Sequence, residues 1–223
     1  MAVQTGEGTI EIIYGSTSIP AGPQTLSGYL ARPDGEGEWP TVLVFGPEPE
    51  PTSSVKNICR VLARHGVAAL ATSLSGNHEV NTAVAQRAAA FVSDATGSWS
   101  NAQFGYGVLA FGSGIFDAAA LAAADGRVGA IAMVSSTLDG LVVEQLSTAQ
   151  ITALWIGSRA DGSVDVDASV DAKEQLPQTT YVIHTDAEQG FWDDGSEGFD
   201  DEAAEDTVER VVSFFSSELP PRV

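Results

Sequence analysis

The feature that most restricts this chain is an alternation. Short apolar runs of strand length exchange with stretches whose apolar residues recur three and four positions apart. Thr41–Phe45, Val67–Ala71, Phe104–Phe111, Val128–Val134, Thr152–Ile156 and Thr180–His184 are the runs. They are rich in Val, Ile, Leu and Ala and show no polar alternation, which predicts parallel strands buried on both faces. Between them lie helices. The first opens at Ser53 or Ser54, whose hydroxyl can take up free N–H groups of the first turn. Val55, Ile58, Cys59 and Leu62 fall at i, i+3, i+4 and i+7 and form its buried stripe. Gly66 ends it as a C′ glycine. Val80–Val92, Ile115–Ala124, Leu141–Leu146 and a piece near Val170–Glu174 are further helices. A last helix runs from Asp201 to Leu219, with Val208, Val211, Val212 and Phe215 as its stripe. Two opening strands, Thr9–Tyr14 and Leu26–Arg32, precede all this, joined by the turn-rich Gly15–Gly22. Strand and helix in alternation predict an α/β domain, with helices on both faces of the sheet.

At 223 residues the chain suits one domain spanning 1–223. No apolar run reaches the roughly 18 residues of a membrane helix. Met1–Ile10 has no Lys or Arg and no long apolar stretch, so it does not read as a signal peptide and a cytoplasmic location is expected. The single cysteine, Cys59, excludes an intrachain disulfide and a cysteine-based zinc cluster.

Charge separates partner classes. Asp and Glu number 30 against 10 Lys and Arg, a net charge of -20. Such a surface repels nucleic acid and anionic lipid, since holding phosphate needs clustered Lys and Arg. An acidic, lysine-poor, alanine-rich chain resembles proteins of salt-rich cytosols. The plainer reading is an acidic composition without a salt requirement.

Several segments resemble the dienelactone hydrolases. LSGYLARPDGEGEWPTVLVF is similar to that family's opening, in which a strand ends in Ala-x-Pro and a proline leads the next strand. RVLARHGVAAL resembles its first helix and following strand, and FDDEAAEDTVERVVSFFSSEL its closing helix. The likeness runs from about Leu26 to Leu219 and is poor between Ser73 and Gln103. It implies an α/β-hydrolase fold: a mostly parallel central sheet of about seven to eight strands with helices on both faces. Function in such sheets sits at the carboxyl ends of the strands. The loops at that edge are Gly46–Thr52, Ser73–Glu79, Gly112–Gly114, Ser158–Val164 and Thr185–Asp194.

The resemblance also implies a catalytic triad. The family's nucleophile stands in a strand–turn–helix elbow, Gly-x-Cys-x-Gly-Gly, with backbone N–H groups nearby as an oxyanion hole. The corresponding run is Ala110-Phe111-Gly112-Ser113-Gly114-Ile115, and the nucleophile's position falls on Gly112. Asp161 takes the place of the acid. The base of a late His-x-Phe is replaced in Gln189-Gly190-Phe191. An amide cannot take up a proton near pH 7, so Gln189 cannot act as a general base. Nucleophile and histidine are therefore lost and the acid is kept.

The remaining candidates have plain structural readings. Ser113, one past the elbow, suits a helix start, Cys59 a buried core thiol and His65 a helix C-terminus. His184 lies inside a strand. His78 is in a loop at the functional edge. The acidic run Trp192–Glu197, followed by Asp200, Asp201 and Glu202, lacks the spacing of a calcium loop, and Gly105-Tyr106-Gly107 has no phosphate-loop lysine after it. No metal or cofactor is expected. The first functional expectation is a non-catalytic protein binding a small carbonyl or carboxylate ligand, or a protein partner. Its pocket would be floored by Gly112 and Ser113 and rimmed by Pro47, Asp161, Gln189 and Phe191. The alternatives are an ester or lactone hydrolase using water activated by Asp161, with His78 or a displaced nucleophile, and an assembly subunit forming a homo-oligomer.

Overall fold

The computed structural model describes residues 6, 8–21, 23–74, 78–95 and 97–223, without the side chains at 24, 78 and 79. These residues form eight strands in one sheet: β1 Ile12–Ala21, β2 Gln24–Pro33, β3 Thr41–Phe45, β4 Ala68–Thr72, β5 Tyr106–Phe111, β6 Val128–Val134, β7 Thr152–Ser158 and β8 Thr179–His184. The helices are α1 Ser53–Arg64, α2 His78–Asp94, α3 Ile115–Ala124, α4 Gly140–Ala149, α5 Val166–Asp171 and α6 Asp201–Glu218. The spatial order is β1-β2-β4-β3-β5-β6-β7-β8. β1 and β2 pair antiparallel, as do β2 and β4, and all other neighbours are parallel.

The continuous apolar strands are buried because both faces are covered. Val42 and Val44 of β3 face one core with Val55, Ile58, Cys59 and Leu62 of α1 and Val211, Val212 and Phe215 of α6. Leu43 and Phe45 face the other, with Val84, Ala88 and Val92 of α2, Ala118 and Leu121 of α3, and Val142 and Leu146 of α4. Full burial of a side chain such as Leu62 contributes about 1.5–3 kcal/mol. Alanines let α2 and α3 approach the sheet closely.

Helix α1 shows how local signals set the ends. Its cap is Thr52, whose hydroxyl accepts from the Val55 N–H at 3.3 Å, one residue earlier than the serines suggest. At its end the Gly66 N–H donates to the Ala63 carbonyl and the Val67 N–H to the Leu62 carbonyl, closing a Schellman motif. Ser54 has another task. Its hydroxyl lies 2.5 Å from a carboxylate oxygen of both Asp193 and Asp194. The acidic run after Trp192 is thus fastened to the N-terminal turn of α1, where the helix dipole favours negative charge.

Several boundaries differ from expectation. The opening strand is not Thr9–Tyr14: β1 runs through the segment read as a turn, Ser16–Ser18 pairing with Ser27, Gly28 and Tyr29. An edge strand is held by backbone bonds along one side, so small polar residues do not prevent it. Phe104 lies outside β5 and is exposed, because Gly105 at φ +139° turns the chain just before the strand. Helix α5 starts four residues before Val170, capped by Asp165 accepting from the Ala168 N–H. No helix of the described residues is long and apolar enough to cross a membrane.

Candidate functional site

Chain order and spatial order part company at β3. The chain leaves β3 through α1 to β4 on one side, then returns through α2 to β5 on the other. A crevice opens outside the carboxyl ends at such a switch point. A cavity of about 360 Å³ lies there, within the roughly 300–1,000 Å³ usual for small-molecule sites. The β3–α1 loop, Leu74, α2, the turn after β5, α3 and Leu141 enclose it.

The turn after β5 has the elbow geometry. Phe111 is extended, Gly112 sits at φ +52° in the left-handed region, and a short 3-10 turn over Gly112–Gly114 leads straight into α3. A Cβ at 112 would stand 3.2 Å from Pro47 Cβ and 4.0 Å from the Ser135 carbonyl oxygen. Glycine holds this conformation without strain and offers no reactive group. Gly114 answers a different need: a Cβ there would come within 2.5 Å of the Phe45 carbonyl oxygen, so only glycine lets the turn pack onto β3. Ser113 is exposed, and its hydroxyl donates to the Pro47 carbonyl at 3.4 Å. An oxyanion hole of this fold draws one N–H from the residue after the nucleophile and one from the β3–α1 loop. Pro47, in that loop beside position 112, supplies none.

Asp161 follows β7 and is 1% exposed. Its Oδ1 accepts from the Ser163 N–H at 3.0 Å and the Ser163 hydroxyl at 2.6 Å, and its Oδ2 from the Ser135 hydroxyl. Three of the about four acceptor directions of a carboxylate are thus filled by serine groups. Ser135, at the end of β6, has φ +51°, uncommon for a residue with a side chain. Next to it the Ser136 hydroxyl donates to the Gly112 carbonyl at 2.9 Å, and Trp155 Nε1 donates to the Ser136 carbonyl at 2.8 Å. The ends of β5, β6 and β7 are therefore locked together by polar contacts.

Gln189 is exposed, and its backbone carbonyl accepts from the Ser196 hydroxyl at 3.3 Å. Among the described residues no hydrogen bond links it to Asp161. Phe191 is fully buried with its ring against His184, the centroids 5.3 Å apart. His184 faces α6, its Nε2 3.4 Å from the Thr207 hydroxyl and 3.8 Å from Asp206. His65 caps α1, and Cys59 is buried, which pushes its thiol up to about 12. His78, expected in a loop, instead opens α2, and its side chain lies outside the described residues.

The expected pocket is thus regrouped. The cavity joins Pro47 and Ser113, but Gly112, Asp161, Gln189 and Phe191 are not among the residues that line it. Its polar wall comes from residues the sequence did not single out. Asp117 of α3 is 4% exposed, and Asn81 of α2 donates to its Oδ2 at 3.0 Å. Asp117 is the one charged residue in the Ala-rich α3, a signal the sequence did carry. Ser135 and Ser163 bore no such mark.

Strand order, helix placement and the elbow at the carboxyl edge define an α/β-hydrolase fold. No family model matches the chain, and no curated protein matches it in sequence. Solved structures match it closely in shape. A candidate dienelactone hydrolase from Klebsiella pneumoniae has a TM-score of 0.81 at 20% identity, over 93% of this chain and 99% of that one. A dienelactone hydrolase-like promiscuous phosphotriesterase from metagenomic libraries has a TM-score of 0.77 at 17% identity, over 94% and 99%. An esterase of Pyrobaculum calidifontis has 0.72 at 15% identity, over 92% and 85%. The dienelactone hydrolase-like fold read from the sequence motifs is borne out.

Proposed function

We propose that this chain is a non-catalytic member of the dienelactone hydrolase group, binding a small molecule in the cavity beside its vacated elbow. The observation that carries this is the state of Asp161. Serine groups take the hydrogen bonds by which a triad acid would orient its histidine, while position 112 has no side chain. Loss of a nucleophile or base removes most of a triad's rate, because the members act as a unit. The test is hydrolysis of short esters and lactones by the wild type and by the pair Gly112→Cys plus Gln189→His. The proposal expects an inert wild type. Turnover by the wild type that survives repurification and tracks with the protein would overturn it.

One observation favours a second reading, an active hydrolase with a displaced nucleophile. Ser135 is a serine at positive φ, and its hydroxyl is bonded to Asp161. It ranks second because Ser135 is 7% exposed and does not line the cavity. Turnover abolished by Ser135→Ala would support it.

A further inference from the structure

We infer that the outer face of α1 and α6 pairs with the same face of a second copy of this chain. The two helices cover one side of the sheet together. Lys56, Arg60 and Arg64 recur four residues apart on α1, and Asp201, Glu205 and Glu209 recur four residues apart on α6. Residues so spaced line up along one side of a helix, about 6 Å from step to step. The chain thus carries a basic stripe and an acidic stripe of the same repeat. The basic one concentrates three of only ten Lys and Arg.

Both stripes have charge to offer. Among the described residues, neither Lys56, Arg60 nor Glu205 is ion-paired within its own chain. Arg60 is held in place by uncharged groups: it donates to the Tyr29 hydroxyl at 3.0 Å and lies 5.6 Å over the Tyr14 ring. Between the helices runs an open groove of about 430 Å³, with Ile58, Val61 and Val208 as apolar wall and the acidic stripe along its α6 side. Phe199, also in its wall, is 40% exposed.

A second copy answers each of these features. α1 and α6 each follow a strand of the parallel set and run back across the sheet in the same direction. A two-fold axis along the helices therefore lays the basic stripe of each copy on the acidic stripe of the other, with Arg60 meeting Glu205 at the centre. The same rotation brings the two Phe199 rings and the two grooves together. Net charge of -20 on each copy opposes approach, but that repulsion is spread over the surface and is screened beyond about 8 Å at 0.15 M salt, whereas the stripes act in contact.

The experiment is sedimentation velocity over a concentration series of the full chain at about 0.15 M KCl. The wild type is expected to pass from monomer to dimer. Arg60→Glu or Glu205→Arg alone is expected to weaken the dimer about 100-fold or more, because each sets like charges against one another twice. Mixed in equal amounts, the two variants are expected to dimerise again, since the mixed pair has opposite charges at both contacts. Lys56→Glu mixed with Asp201→Lys repeats the test one step along the stripes, and carries it if Arg60→Glu does not fold. A wild type that stays monomeric throughout would overturn the inference and leave the groove to a partner of other chemistry. A dimer that ignores the single reversals, or variants that stay apart when mixed, would overturn it as well.

Discussion

The Ser135 hydroxyl is bonded to the buried carboxylate of Asp161, joining the carboxyl ends of β6 and β7. Ser135 holds φ +51° to do so. Ser135→Ala keeps the unfavourable backbone and deprives Asp161 of a donor, and is expected to cost about 1–3 kcal/mol. Ser135→Gly loses the same bond but relieves the backbone, so it should cost roughly 1 kcal/mol less than alanine. Urea unfolding of the two variants checks the order.

Rebuilding the elbow tests the proposed non-catalytic reading. Gly112→Ser places a Cβ at φ +52° and 3.2 Å from Pro47, and is expected to lower stability by about 1–2 kcal/mol. Combined with Gln189→His it should stay close to inert, because Ser135 and Ser163 hold Asp161. Adding Ser135→Gly frees one carboxylate oxygen, and any gain in ester turnover should appear only in that triple variant. Equal activity in the double and triple variants would contradict this.

Cys59 should be silent in the native protein. It is fully buried on α1, and burial pushes its thiol up to about 12, so little thiolate forms at neutral pH and none is accessible. An aromatic disulfide reagent at pH 8 should label it only at the rate of unfolding, and at once in denaturant.

Asp125 links pH to stability. Hydrogen bonds from Arg127 hold its carboxyl below the usual value, against the opposing effect of burial. A depressed carboxylate stabilises the fold above the unfolded value of 3.8, and that contribution is lost as pH falls below it. The Arg127 side chain is 42% exposed, so solvent screening limits the contribution to about 1 kcal/mol or less. Asp125→Asn should lower stability by that amount at pH 7 and by less at pH 3, as read by denaturant midpoints.

Net charge of -20 predicts a salt response. Self-repulsion weakens when ions screen it, so Tm should rise between dilute buffer and roughly 1 M KCl. Each kcal/mol gained raises Tm by about 2–4 °C in a chain of this size. A flat or falling Tm would show that the acidic surface carries no salt requirement.

The sequence by itself determined the architecture. Apolar runs such as Thr41–Phe45 and Val128–Val134 coincide with β3 and β6, and Ile115–Ala124 with α3, because burial on both sides leaves no freedom in the pattern. It also marked a strand–turn–helix turn at Gly112 and an aspartate, Asp161, just after β7, since both are local features. β1 was not legible, because an edge strand is decided by its pairing with β2 and not by its own composition. Nor was the cavity. Only the tertiary structure brought Asn81 of α2 to Asp117 of α3, and Ser135 after β6 to Asp161 after β7. Those residues are 36 and 26 positions apart, and nothing in a chain marks which distant polar groups will be buried together and must satisfy one another.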